Sequence, residues 1–194
     1  DLEVNGAAGP RPARLYEPEA AAAPGPLLVF FHGGGFALGS LTTADPLCRL
    51  VAAQAQLRVL SVSYRLAPEH PYPAGLDDAL AAFDWVRTHA AEIGADPDLV
   101  AVGGDSAGGN LALVTAHERP GEAAFALALY PVTDVERTGG SRDTFGSGYG
   151  LSADTVASLE RFYLPDGVPN NDRRGAIVRA DDLSAMPPVY LATA

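Results

Sequence analysis

The chain has 194 residues, a net charge of −11 and one cysteine, and 47% of its residues are hydrophobic. That length and hydrophobic content predict one domain with a sizeable core. The acidic balance argues against a nucleic-acid partner, which needs a basic face, and against an anionic membrane surface. Cys48 has no second cysteine for an internal disulfide, and no apolar run approaches the ~20 residues of a membrane helix. We therefore expect a cytoplasmic protein without stable membrane insertion.

Strand-like and helix-like segments alternate along the chain. Apolar runs predict strands at 14–16, 27–31, 58–64, 99–102, 124–130 and 189–193. Helical spacing predicts helices at 43–55, 74–93, 107–116 and 152–164. In the first helix, Leu47, Leu50 and Val51 are spaced for one buried face, and Ser152 is a natural N-cap of the last helix. The alternation predicts a doubly wound, mostly parallel sheet with helices on both faces.

The segment 32–36 reads H-G-G-G-F and follows a strand-like run. Three glycines free the backbone to aim its N–H groups at one point, as an oxyanion hole requires. Gly34 and Gly35 are therefore predicted oxyanion donors, with the N–H of Ala107 as the third. Gly33 is a predicted supporting residue, and Phe36 is a candidate for the wall of the substrate pocket.

The segment 104–108 reads G-x-S-x-G between an apolar run and a helical pattern. A strand that turns sharply into a helix at a serine is a nucleophile elbow. The flanking glycines are expected because a side chain there would collide with the neighbouring strand and helix. We predict that Ser106 is the catalytic nucleophile and that Asp105 anchors the turn and the neighbouring loops.

The stretch 135–187 interrupts the alternation of strands and helices and is rich in Gly, Asp and Arg. An insertion of this kind between sheet strands can fold over a site as a cap or lid. The alternative is a set of surface loops with one packed helix. Phe162 and Tyr163 are predicted to pack, whereas Phe145 and Tyr149 are candidates for pocket walls.

Three further segments complete a family pattern with these motifs: Y-R-L-A-P-E-H-P-Y-P-A at 64–74, Y-P-V-T-D at 130–134 and M-P-P-V-Y at 186–190. In this combination the chain resembles the hormone-sensitive-lipase-like (family IV) esterases of bacteria. The resemblance implies an α/β-hydrolase fold and hydrolysis of short-to-medium acyl esters by a Ser-His-Asp triad, with no cofactor and no metal. It also implies that His32 helps to shape the oxyanion loop and that cap elements lie in 135–187.

The acid and the base of such a triad follow the serine in the chain. His117 is the single histidine after Ser106, but ~1.5 Å of rise per residue places it ~16 Å along the same helix. We interpret it as a helix-end histidine. Asp134 is an alternative acid, although the resemblance places the acid just past the strand at 189–193 and the histidine later still. We therefore expect residues 1–194 to be a partial catalytic domain without its last strands and its N-terminal cap.

Two other functions are consistent with these motifs. A relative of this fold that has lost the histidine can bind a small molecule without turnover, and the same fold supports amidases and peptidases. The expected partner of the esterase is a small-molecule ester. An apolar sheet edge at the end of the protomer also predicts that two copies of the chain pair, as in a homodimer.

Overall fold

The computed structural model describes residues 1–135, 139–164 and 173–193. They form a seven-stranded sheet in the order β1-β2-β4-β3-β5-β6-β7. The strands are β1 (Leu2–Gly6), β2 (Gly9–Tyr16), β3 (Gly25–Phe31), β4 (Arg58–Val62), β5 (Ala95–Asp105), β6 (Ala126–Leu129) and β7 (Val189–Ala192). β2 pairs antiparallel with β1 and β4, and the other neighbours pair in parallel. The predicted doubly wound, mostly parallel sheet is confirmed.

Five α-helices connect or follow these strands in the described residues. They are α1 (Leu41–Ala55), α2 (Ala74–Thr88), α3 (Ala107–Glu118), α4 (Ser141–Phe145) and α5 (Ala153–Tyr163). Short 3-10 helices span Ala90–Ile93, Arg173–Gly175 and Ile177–Arg179. The single helix predicted at 74–93 is wrong, because α2 ends at Thr88 and a separate 3-10 turn closes at Gly94, where φ is 67°. None of the helices in the described parts combines the length and apolarity needed to cross a bilayer.

The side chains of β3 alternate between two halves of the core. Leu28 and Phe30 pack with α1, whereas Leu27, Val29 and Phe31 belong to the larger cluster that includes α2 and α3. This alternation follows from the two-residue period of a strand and places helices on both faces. The helix α3 is buried from Ala107 to Ala116, so the turn that precedes it is held firmly against the sheet.

The buried face of α1 differs from the predicted one. Its fully buried residues are Ala44, Cys48 and Ala52, which recur at four-residue spacing. Leu50 is 57% exposed, so its predicted burial is wrong, whereas Leu47 and Val51 are partly buried against the same half of the core, as predicted. Small side chains face the sheet because α1 lies close to it, and the larger leucine projects outward.

Candidate active site

The topology brings the two predicted motifs together. β3 and β5 are parallel neighbours, and Phe31 pairs with Gly104 at their carboxyl ends. The loop after β3 (residues 32–39, here named the glycine loop) and the turn at Ser106 therefore leave the sheet side by side. Crevices beyond the carboxyl ends of parallel strands are the usual ligand sites of open α/β sheets. Gly34, Gly35 and Ser106 line one cavity of about 600 Å³ at this edge.

The backbone at Ser106 is strained and tightly held. Its φ is 52° and its ψ is −116°, a conformation that residues with a side chain rarely adopt. Its N–H donates to Leu129 O at 2.8 Å, and its carbonyl accepts from the N–H groups of Asn110 and Val132 at 3.1 Å each. Strain of this kind persists only where the surroundings fix it, and it occurs most often at functional sites. The serine hydroxyl is thereby presented at the cavity wall.

The glycine loop turns back on itself through three consecutive residues with positive φ: Gly34 at 124°, Gly35 at 60° and Phe36 at 62°. Ala37 and Leu38 donate to Gly34 O at 3.2 and 2.9 Å, which closes the turn. Within the described parts of the chain, no protein group accepts from the N–H of Gly34, Gly35 or Ala107. Ala107 is buried at the start of α3 and does not contribute to the cavity lining. The N–H groups of Gly34 and Gly35, which line the cavity, are therefore available to a ligand.

Asp105 ties the glycine loop to the turn at Ser106. Its Oδ1 accepts from the N–H of Gly33 at 2.9 Å, and a side chain at Gly33 would overlap the same carboxylate. Burial raises the pKa of the Asp105 carboxyl above its ordinary value, and the hydrogen bond from Gly33 acts in the opposite direction. The carboxylate thus holds the two segments at a fixed separation.

His32 lies under the glycine loop and not in the cavity. It is buried, and its ring stacks on Tyr64 with 4.5 Å between centroids. Its Nδ1 lies 2.8 Å from Gly33 O, while the Tyr64 hydroxyl donates to His32 O at 2.7 Å. Burial lowers the pKa of His32 below its ordinary value. A neutral ring with a proton on Nδ1 fits these contacts, which join His32 to the glycine loop outside the cavity lining.

The cavity lies between the sheet edge and the segment that follows β6. Phe36 and Phe145 both line it, as predicted candidates for its wall. Tyr149 does not line it: this ring is 71% exposed and packs edge-on against Phe145, with 5.2 Å between centroids. Tyr149 projects outward between Gly148 and Gly150, both of which have positive φ.

Sequence reasoning missed the contribution of α5. Ser152 caps this helix as predicted, since its side chain accepts from Thr155 N. Val156, Leu159 and Tyr163 then face the cavity at positions i, i+3 and i+7, a spacing that the sequence displays. Phe162, predicted to pack, is 46% exposed, whereas Tyr163 is buried.

An ion pair closes the far wall of the cavity. Arg142 Nη1 of α4 lies 2.7 Å from Glu160 Oε1 of α5, and both side chains line the cavity. The two charges neutralise each other, so the pair adds no net charge to a wall that is otherwise mostly apolar. The sequence gives no signal for this pair, because 18 positions separate its members.

Among the described residues, no histidine or aspartate lines the cavity at Ser106. His117 Nε2 contacts Asp182 O at 3.1 Å, His89 stacks on Trp85, and neither lines the cavity. Asp134 binds Arg179 at 2.7 Å and is also absent from the lining. Among the residues that the structure describes, no cluster of His, Cys, Asp or Glu has the arrangement of a metal site.

The buried His32 makes stability depend on pH. Its pKa is lowered in the folded state, so its contribution to stability is complete above its ordinary pKa of about 6.5 and is lost as the pH falls below that value. We expect the free energy of unfolding to fall between pH 7 and pH 5, by up to about 1.4 kcal/mol per pH unit. Asp105, whose pKa is raised, acts in the opposite direction at lower pH.

Denaturant unfolding at a series of pH values tests this expectation. In His32→Asn the amide keeps a donor near Gly33 O but does not titrate, so the decline from pH 7 to pH 5 should largely disappear. The control is His70→Asn, which replaces an exposed histidine and should retain the parent's decline. An identical decline in His32→Asn and the parent would assign the effect to other groups.

The chain matches known proteins over almost its whole length. A family model described as the α/β-hydrolase fold matches residues 28–194. The chain is 45% identical over 204 residues to the carboxylic ester hydrolase LipN of Mycobacterium tuberculosis, with 100% of the chain and 54% of the relative covered. It is 41% identical over 159 residues to the ethyl acetate hydrolase of Pseudomonas putida, with 78% of the chain and 49% of the relative covered. The chain thus spans about half the length of these two relatives.

Solved structures agree with the fold. The esterase of Pyrobaculum calidifontis superposes with a TM-score of 0.91 at 38% identity, over 98% of this chain and 64% of that one. An ester hydrolase from the metagenome of Lake Arreo, solved with a bipyridine phosphonate derivative, gives a TM-score of 0.92 at 40% identity, over 97% of this chain and 61% of that one. The chain belongs to the α/β-hydrolase family, and its resemblance to the hormone-sensitive-lipase-like esterases is confirmed.

Proposed function

We propose that the protein containing this chain is a serine carboxylic ester hydrolase that acts on short-to-medium acyl esters. One observation carries the proposal. A strained, partly exposed serine faces the same cavity as two glycines whose N–H groups have no acceptor among the described residues. A nucleophile beside unpaired donors is the arrangement that acyl transfer requires.

In the proposed reaction, Ser106 Oγ attacks the ester carbonyl carbon and its proton passes to a histidine base. The carbonyl oxygen becomes an oxyanion, which accepts hydrogen bonds from the N–H groups of Gly34, Gly35 and Ala107. The C–O bond to the alcohol then breaks, the histidine protonates the alcohol, and an acyl-serine remains. Water then attacks the acyl carbon and gives a proton to the histidine. The bond from this carbon to Ser106 Oγ breaks, the histidine returns the proton to Oγ, and the carboxylic acid leaves. We place the histidine and its acid in the part of the protein that this chain does not include.

The shape and chemistry of the cavity support an ester of modest size. Its volume of about 600 Å³ lies within the range of small-molecule sites, which are mostly apolar with a few polar groups. Phe36, Val132, Leu159 and Phe145 give the wall its apolar character. An acyl chain would bury against these side chains without leaving a polar group unpaired.

The names of the relatives point to the same reaction. LipN is a carboxylic ester hydrolase, and the Pseudomonas putida relative hydrolyses ethyl acetate. The Lake Arreo ester hydrolase was solved with a phosphonate derivative, and a tetrahedral phosphonate resembles the intermediate of acyl transfer. These likenesses support an ester as substrate.

We also propose that residues 135–187 form a cap over the site. Within the described part of this segment, α4 and α5 supply most of one cavity wall, and Tyr163 is packed into the main core. The homodimer and the cytoplasmic location stay predictions from the sequence. Light scattering on the purified protein would test the first of them.

The proposed function is tested by comparing esters with their amides. We expect the full-length protein to hydrolyse p-nitrophenyl acetate and butyrate but to act far more slowly on the matching p-nitroanilides. A p-nitrophenyl phosphonate should add one phosphonyl group, and peptide mass spectrometry should locate it on Ser106. Faster turnover of the anilides would favour an amidase. Tight binding of esters without turnover or labelling would favour a small-molecule-binding protein.

Asp105 offers a graded test of the glycine loop. We expect Asp105→Ala to lower kcat by roughly 10- to 100-fold, because the N–H of Gly33 loses its acceptor and the donors that follow it shift. Asp105→Asn keeps an oxygen in the place of Oδ1, so the N–H of Gly33 retains a neutral acceptor. We therefore expect its kcat to fall by less than about 5-fold. Steady-state kinetics on p-nitrophenyl butyrate measures both. Equal losses in the two variants would mean that the negative charge, and not the hydrogen bond, is what matters.

A further inference from the structure

The glycine loop rests on α5. A Cβ built at Gly35 would lie 2.5 Å from Leu159 Cδ1 and 3.1 Å from Leu159 Cβ and Cγ, so the leucine side chain lies directly against the loop backbone. One turn further along α5, the Tyr163 ring stacks on Phe36 with 3.8 Å between centroids and 6° between planes. Two consecutive residues of the loop are therefore supported by two residues of one helix.

The two loop residues that α5 supports are residues whose backbone conformation is unfavourable. Gly35 and Phe36 have φ values of 60° and 62°, and a bulky residue such as phenylalanine seldom adopts this conformation. Strain persists only where neighbouring contacts hold it. The backbone of Phe36 is held by Ala67, whose N–H donates to Phe36 O at 2.9 Å. The side chain of Phe36 is held by the ring of Tyr163.

Tyr163 is itself firmly placed. It is 2% exposed, and its carbonyl accepts from the N–H of Tyr72 at 2.9 Å. The two tyrosine rings also meet edge to face, with 5.4 Å between centroids and 81° between planes. Tyr72 lies in the segment between β4 and α2, so Tyr163 joins α5, that segment and the glycine loop at one point.

We propose that α5 positions the N–H groups of the glycine loop, with Leu159 and Tyr163 as the positioning residues. The catalytic consequence rests on the proposed ester hydrolysis, because it concerns the donors to the oxyanion. Oxyanion donors act only when they lie close to the developing charge, and a displacement of about 1 Å can cost 10²-fold in rate. On this proposal, α5 contributes to kcat and is more than a wall that the acyl chain touches.

Kinetics of the full-length protein separates these two roles. We expect Leu159→Ala and Tyr163→Leu to lower kcat by about 10-fold or more while KM changes by less than about 3-fold, since the loss falls in the transition state. Tyr163→Phe retains the stacked ring and should keep most of kcat. Val156→Ala, which removes a cavity contact on the same helix, should mainly change KM. Phe162→Ala is the control for the helix itself, because this ring is exposed and outside the cavity lining.

Hydrogen exchange tests the placement of the loop without any substrate. The N–H groups of Ala37 and Leu38 donate to Gly34 O, so their exchange rates report whether the turn is closed. We expect these rates to rise about 10-fold or more in Leu159→Ala and Tyr163→Leu and to stay unchanged in Phe162→Ala. If the exchange is faster in Leu159→Ala and Tyr163→Leu but the parent hydrolyses no ester, the proposed function is refuted and the positioning role of α5 stands. Unchanged exchange in both variants, or an effect on KM alone where turnover exists, overturns the proposal.

Discussion

Ser106→Ala in the full-length protein should lower kcat/KM for p-nitrophenyl butyrate by about 10⁴-fold or more, the scale on which serine hydrolases lose activity with their nucleophile. Alanine retains the backbone hydrogen bonds to Leu129, Asn110 and Val132 and loses only Oγ. At a φ of 52°, alanine carries the same backbone strain as serine, because both residues have a Cβ. The melting temperature should therefore change by no more than a few degrees.

Two controls make this result specific to Ser106. Ser184→Ala removes an exposed hydroxyl outside the cavity lining and should keep the parent's activity. Phosphonate labelling should disappear in Ser106→Ala and persist in Ser184→Ala. If Ser106→Ala hydrolysed the ester as fast as the parent, another nucleophile would have to act, and the proposed mechanism would fail.

The sequence was sufficient to predict that the two motifs lie next to each other, and the reasons are physical. Both motifs follow unbroken apolar runs, which is the pattern of strands covered on both faces. Parallel strands end at the same edge of a sheet, so a loop after β3 and a turn after β5 must meet if those strands are neighbours. Their pairing, with Phe31 opposite Gly104, satisfies that condition. The positive φ of Gly34 and Gly35 is likewise a backbone property that a run of glycines predicts.

The parts that could not be predicted depend on side chains that meet across long sequence separations. Phe145 and Tyr149 have similar sequence surroundings, yet Phe145 lines the cavity and Tyr149 faces solvent. For Tyr163 the sequence predicts packing but not its partner, because a helical stripe does not reveal which loop it will meet. The strand β1 was missed because its five residues contain a single fully buried side chain, Val4, and it lies at the edge of the described sheet, beside β2.

The second large effect is expected at Gly108, in the first turn of α3. A Cβ at this position would overlap Phe31 O and would lie 2.5 Å from Phe31 C and 2.6 Å from His32 O. All three atoms belong to the backbone of β3 and the glycine loop, so no rotation of a side chain can relieve the clash. Alanine would favour the helix by about 1 kcal/mol through its intrinsic propensity. Overpacking against rigid backbone costs about 1–3 kcal/mol, occasionally more, and should outweigh that gain.

Gly108→Ala must therefore move α3 and β3 apart, and the elbow and the glycine loop separate with them. We expect a loss of roughly 10²-fold in kcat, because Ser106 and its oxyanion donors no longer face one point, together with a lower melting temperature. Gly109→Ala is the matched control: a Cβ there would meet Pro131 Cβ at 3.0 Å and Gly104 O at 3.1 Å, which small shifts can absorb. Scanning calorimetry and steady-state kinetics on both variants measure the difference. If Gly108→Ala and Gly109→Ala lost equal amounts of kcat and melting temperature, the contact between Gly108 and β3 would not be what determines the spacing of the two motifs.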